Sequence, residues 1–120
     1  MISSFRDLIA YQKAYKMSLD IHKLTLNFPK FEQHELASQL RRASKSVTLN
    51  IAEGFGRKHR STLADFRRFI VIALGSCDEV RVALDYCKDL GYLNNEDYVK
   101  YESECIEIGK LLSTMLKTWI

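Results

Sequence analysis

The stretch LADFRRFIVIALGSCDEVRVALDYC, Leu63 to Cys87, decides the fold. Leu63, Phe66, Ile70, Ala73, Cys77, Val80, Leu84 and Cys87 recur in alternating steps of three and four, and every position on that row is apolar. Such steps return to one side of a helix with 3.6 residues per turn, so the row predicts a long helix with one buried stripe. Ser61 or Thr62 can cap its start, and Gly91 suits the left-handed residue just past its end.

The same period continues on both sides. Tyr98, Tyr101, Cys105, Ile108, Leu112, Met115 and Trp119 form the stripe of a fourth helix. Asn94 or Asn95 can cap it, with Glu96 and Asp97 at the positive end of its dipole. Leu36, Leu40, Ala43, Val47, Asn50 or Ile51, and Gly54 mark a second helix. The breakers Phe28-Pro29-Lys30, Gly54-Phe55-Gly56 and Gly91 divide the chain into four long segments, and Gly56 is expected to end the second. No segment alternates with the period of two that a strand needs. Short connections between long helices predict an all-α, antiparallel up-down-up-down four-helix bundle. With 120 residues and 47% hydrophobic composition, one domain over residues 1–120 with a real core is expected.

The first segment carries two apolar rows. One is Phe5, Leu8, Tyr15, Leu19 and Leu26; the other is Ala10, Ala14, Met17, Ile21, Leu24 and Phe28. One bundle seam needs only one row. The second requires cover, and self-association is the simplest cover.

Charge is polarised along the chain. Residues 41–68 hold Arg41, Arg42, Lys45, Arg57, Lys58, Arg60, Arg67 and Arg68 against Glu53 and Asp65. Residues 78–107 hold nine carboxylates against Arg81, Lys88 and Lys100. The net charge of +3 is mild, so its distribution carries the information. In the expected bundle, Arg57, Lys58, Arg60, Arg67 and Arg68 gather at one end and an acidic turn occupies the other. A basic end attracts phosphates. Only Phe55, Phe66 and Phe69 interleave with the arginines, the last two expected to point at the core, so base stacking is unsupported and contact with RNA or DNA is expected to be to the backbone and non-specific, through those eight basic residues.

Catalytic and metal patterns fail on spacing. His34-Glu35 lacks the second histidine of a zinc-protease helix, since residue 38 is serine. Glu32 with Glu35, and Glu104 with Glu107, lack the histidines of a di-iron bundle. His22, His34 and His59 share no ligand spacing. In GFGRKHRS the Gly-Lys of a phosphate loop is missing, and no strand precedes it. No catalytic residue, cofactor or metal is expected. Cys77, Cys87 and Cys105 all fall on apolar rows, as small core hydrophobes of a reducing compartment. The first residues, MISSFRDLIAYQKAYK, lack the apolar core of a signal peptide, and no run is long enough to span a membrane. A cytoplasmic protein without a membrane partner is expected.

Three stretches carry a family resemblance: FRDLIAYQKAY (Phe5–Tyr15), FPKFEQHELASQLRRASKSVTLNIAEGFGR (Phe28–Arg57) and DFRRFIVIALGSCDEV (Asp65–Val80). Together they resemble the four-helix bundle family of the 23S ribosomal RNA intervening-sequence protein. The same fold family includes the accessory variability determinant of diversity-generating retroelements. The resemblance implies an antiparallel bundle protomer, a ring-like homopentamer with a basic surface, bacterial origin and no established enzymatic activity. The retroelement member is thought to bind its reverse transcriptase and nucleic acid through basic residues. The segment Lys58-His59-Arg60 is richer in charge than the family pattern.

Within the signature NIAEG, Asn50 and Glu53 are polar where packing favours apolar residues. Buried, they need hydrogen-bond partners. Ser76 and Glu79 on the facing helix, with Arg41 or Arg42, carry suitable groups. A structural polar network of Asn50, Glu53, Ser76 and Glu79 is expected to set helix register or a subunit contact. Gly54 suits a close helix approach. The resulting expectation is a non-enzymatic oligomer that binds nucleic acid. Its rival is a protein-interaction scaffold with no direct nucleic-acid role.

Overall fold

The computed structural model describes residues 2–119. Four α-helices carry the fold: α1 (Ile9–Thr25), α2 (Leu36–Arg60), α3 (Leu63–Asp89) and α4 (Asn95–Thr118). Single 3-10 turns at Phe5–Asp7 and Lys30–Glu32 precede α1 and α2. There is no strand among the described residues.

Local chemistry sets the boundaries. Thr62 Oγ1 accepts the Asp65 amide at 3.1 Å, and Asn94 Oδ1 accepts that of Asp97 at 2.8 Å. These caps start α3 and α4 by satisfying amides that lack a partner in the first turn. Gly91 takes φ +83°. Its amide bonds Lys88 O at 3.1 Å while that of Tyr92 bonds Cys87 O at 2.8 Å, the paired bonds of a Schellman ending. Before α1, the Asp7 carboxylate accepts the amides of Ser3 at 2.9 Å and Ser4 at 3.0 Å, which hold its carboxyl below the usual range.

One expected boundary is wrong. Gly56 does not end α2; the helix continues through both glycines and closes at Ser61, whose amide bonds Arg57 O at 2.9 Å. A helical glycine costs about 1 kcal/mol relative to alanine, too little to break a helix held by packing. Gly54 shows what that packing is. A β-carbon there would lie 3.0 Å from Ile70 Cδ1 and 3.3 Å from Phe69 Cβ, so its absence lets α3 come close.

Each helix packs on its chain neighbours and α1 closes on α4, with α1 and α3 on one diagonal and α2 and α4 on the other. The result is an up-down-up-down bundle 43 Å long. Its core is one continuous cluster in which Met17, Ile21, Leu40, Ile51, Phe66, Ile70, Leu84, Ile108 and Leu112 are fully enclosed. Buried hydroxyls stay satisfied by donating to carbonyls three residues back, Thr25 to His22 at 2.9 Å and Ser44 to Arg41 at 3.0 Å. Cys77, Cys87 and Cys105 are buried and free. Burial pushes the Cys77 and Cys87 thiols up to about 12 and raises that of Cys105 as well, so none is a nucleophile near neutrality.

The two rows of the first segment separate only in part: Leu8 of the first row is buried in the core and Phe5 packs against it. Ala10, Ala14, Met17, Ile21 and Phe28 enter the core, while Tyr15, Leu19 and Leu26 remain 48%, 44% and 61% exposed.

Two outcomes follow from this packing. Gly54→Leu should lower the unfolding free energy by about 1–3 kcal/mol in denaturant melts, the usual cost of overpacking; an unchanged midpoint would show that α2 and α3 are not in close contact there. Burial raises the Glu104 carboxyl, with Lys100 and Lys16 only partly opposing it. A carboxyl raised in the folded state penalises folding above its folded value and not below its unfolded value. Glu104→Gln should therefore raise the melting temperature at pH 7 and lose that advantage as pH falls below about 4.

Candidate nucleic-acid interface

One end of the bundle collects the start of α1, the end of α2, the start of α3 and the end of α4. Two of these are positive helix poles and two are negative, so the dipoles largely offset one another. The charge of this end therefore comes from side chains. Arg57, Lys58 and Arg60 arrive on the last turns of α2, Arg67 and Arg68 on the first turns of α3, and Lys117 on the last turn of α4. The opposite end carries Glu32, Glu35, Asp85, Asp89, Glu96 and Asp97. There Tyr92 donates to Glu32 at 2.8 Å and Tyr98 to Asp85 at 2.6 Å. The Tyr98 phenol, bonded to that carboxylate, is pushed up to about 12.

The cations of the basic end differ in their commitments. Arg67 donates to Leu116 O at 2.6 Å and Lys58 to Trp119 O at 3.4 Å, so both cover carbonyls at the negative pole of α4. Arg57 pairs with Glu53 at 3.3 Å, Arg68 approaches Asp65 at 3.7 Å, and both guanidinium groups lie over the Phe69 ring, at 5.4 Å and 4.7 Å from its centre. These pairs are solvent-exposed and weak, so a phosphate can compete for either arginine. Arg60 is exposed, with its guanidinium folded over Gly56.

The eight basic residues expected from the sequence do not form one patch. Arg41, Arg42 and Lys45 lie on the first half of α2, and sixteen residues of helix put Arg41 roughly 24 Å from Arg57. Arg41 turns inward: it donates to Thr25 Oγ1 at 3.0 Å, Gln33 Oε1 at 3.2 Å and Gln33 O at 2.8 Å, tying α2 to the α1–α2 connection. Lys45 Nζ stands 3.1 Å from His22 Nδ1. Arg42 lines a shallow polar depression with His34, Glu35, Ser38, Gln39 and Glu79.

The four residues expected to form a polar network divide as well. Asn50 Nδ2 donates to Ser46 O at 2.8 Å and Ser46 Oγ at 3.0 Å, and Ser46 Oγ meets Ser76 Oγ at 2.8 Å across the α2–α3 seam. Glu53 and Glu79 are exposed and lie outside that chain of bonds. Glu53 instead meets Arg57 one turn along. Ser46, absent from the expected set, is the link.

Sequence reasoning also missed an aromatic group at the basic end. Trp119 stacks on Phe66 with ring centres 5.9 Å apart, and His59 lies over Phe55 at 4.6 Å. Phe55, His59 and Trp119 with Lys58 border a shallow pocket of about 320 Å³. The helical row did identify Trp119 as core-facing, but nothing in the period shows that the last turn leaves it half-exposed. Among the described residues, no three His, Cys, Asp or Glu side chains come together to hold a metal ion, and no helix is long and apolar enough to cross a membrane.

The fold and this charge arrangement set the frame for comparison. The family model described as 23S rRNA-intervening sequence protein matches residues 6–114. The chain belongs to that family. A crystal structure of a protein of unknown function from the S23 ribosomal protein family of Bacteroides thetaiotaomicron VPI-5482 is similar, with a TM-score of 0.80 and 26% identity. The match covers 92% of this chain and 96% of that one. No curated protein matches. The family match spans all four helices, and neither description states a catalytic activity.

Arg41 therefore holds the fold together in this member of the 23S rRNA-intervening sequence family. Arg41→Met keeps the aliphatic stem and removes three hydrogen bonds, so it should lower stability by about 2 kcal/mol. It should leave affinity for nucleic acid within about twofold, or some 0.4 kcal/mol. A large affinity loss without a stability loss would return Arg41 to the interface.

Proposed function

We propose that this chain is a non-enzymatic, self-associating helical bundle that binds RNA or DNA phosphates at its basic end. The observation that carries this is the convergence of Arg57, Arg60 and Arg68 from two helices, beside Lys58, Arg67 and Lys117, on a bundle whose other end is acidic. Arg57 and Arg68 are held only by weak exposed pairs, and Arg60 by none among the described residues. Such cations exchange a carboxylate or water for phosphate at little cost. Binding of this kind is electrostatic and indifferent to sequence. The family's name links it to 23S ribosomal RNA, which favours RNA as the first ligand to test. The homopentameric ring implied by resemblance would repeat the basic end around an axis and multiply weak contacts. The exposed row Tyr15, Leu19 and Leu26 supports self-association. A cytoplasmic location is consistent with this role.

One observation favours the rival, a protein-interaction scaffold. Lys58 and Arg67 bond to carbonyls at the end of α4 and so have a structural use of their own.

Salt titration separates the two. The combined variant Arg57→Glu, Arg60→Glu, Arg68→Glu leaves the α4 contacts intact. Affinity for random RNA should fall steeply as salt rises, and the variant should lower the slope of log K against log salt by about 2 units for three lost phosphate contacts on a single strand. Absence of wild-type binding at low salt, or binding indifferent to salt, would leave the scaffold reading.

A further inference from the structure

Two surfaces of the protomer are apolar and uncovered, and their charges are opposite. The first is a groove of about 570 Å³ between α1 and α2, lined by Tyr11, Tyr15, Leu19, Leu49 and Ala52. Leu49 is 69% exposed on its wall. Lys45 lines it and Lys23 stands one turn beyond Leu19, and among the described residues neither meets a carboxylate. The nearby acids are occupied, Asp20 by Lys16 at 2.8 Å and Glu53 by Arg57.

The second is the outward stripe of α3. Val71, Gly75, Val82 and Tyr86 follow one another at helical spacing on the side away from the core, and the three side chains are 54%, 56% and 59% exposed. Asp78 and Asp89 flank them; the first has only a 3.8 Å contact with Arg81 and the second meets no cation among the described residues. Gly75 has open space where its β-carbon would be. Mid-helix it is less stable than alanine would be, and no packing within the protomer requires it. A neighbouring chain pressed against the stripe would.

We propose that the α3 stripe of one copy seats in the α1–α2 groove of the next. This rests on the self-association put forward above and names its two faces. Charge selects the pairing. Groove against groove sets Lys23 and Lys45 against their own copies, and stripe against stripe does the same with Asp78 and Asp89. Only groove against stripe joins cations to carboxylates over an apolar centre, and like charges brought together at an interface cost about a hundredfold or more in affinity. α3 lies diagonally across the bundle from α1, so each protomer can offer both faces at once. A contact between two different faces propagates around a ring instead of stopping at a dimer. It also leaves the basic end of every copy free for nucleic acid.

Two complementary blocks test the pairing by light scattering. Leu49→Arg closes the groove and leaves the stripe; Val82→Arg closes the stripe and leaves the groove. Both side chains are exposed, so each variant should keep the wild-type helical circular dichroism. Alone, each should fall from the wild-type assembly to the 13.9 kDa chain mass. Mixed in equal amounts, they should form a two-chain species, because one intact groove and one intact stripe remain. If one variant alone still assembles, or if the mixture stays at the single-chain mass, the pairing is overturned. If wild-type protein is itself monomeric, the self-association beneath it fails, which is a different result from either.

Discussion

Gly54 brings α2 and α3 together, and the rest of the molecule follows from that contact. A side chain there would collide with Ile70 and Phe69. Without one, the two longest helices form a tight antiparallel pair, joined further along by the Ser46–Ser76 hydroxyl contact. α1 and α4 then close the other side of the bundle and meet one another. The α2–α3 pairing also decides where charge goes. Because the turn between them is short, the basic last turns of α2 and first turns of α3 share one end of the molecule, and the acidic α3–α4 turn is carried to the other.

The cations of the basic end differ in what holds them. Arg67 and Lys58 satisfy carbonyls of α4, which would otherwise face water at its negative pole. Arg57, Arg60 and Arg68 carry similar charge but lighter commitments. The same residue type thus holds the fold together in some positions and remains available to a polyanion in others. Arg41 belongs with the first group, although it lies at a distance from this end.

Much of the fold was legible in the sequence because it depends on period and caps. The row from Phe66 to Cys87 is buried as its spacing implies, and Thr62, Asn94 and Gly91 act at the positions their side chains or lack of one suggest. The excess of apolar rows on α1 was equally visible, since the core cannot take both in full. What the sequence could not show depends on neighbours distant along the chain. Gly56 resembles a helix end until Gly54 is seen against α3. Arg41 resembles a surface cation until Thr25 and Gln33 are seen to receive it. Ser46 carried no mark of its own, and its importance comes from Ser76 thirty residues later. Glu53 and Glu79 were grouped with Asn50 by spacing along the chain, yet both lie on the outward side of their helices.

Membership of the 23S rRNA-intervening sequence family and the bundle fold are established. On the proposed reading, nucleic acid is met at the basic end. Photo-crosslinking to RNA carrying 4-thiouridine, with the linked peptides identified by mass spectrometry, tests it most directly. The account predicts crosslinks between Arg57 and Arg68 and at the end of α4, and none on the acidic end. Crosslinks confined to the α1–α2 groove or the α3 stripe, or none at low salt, would contradict it.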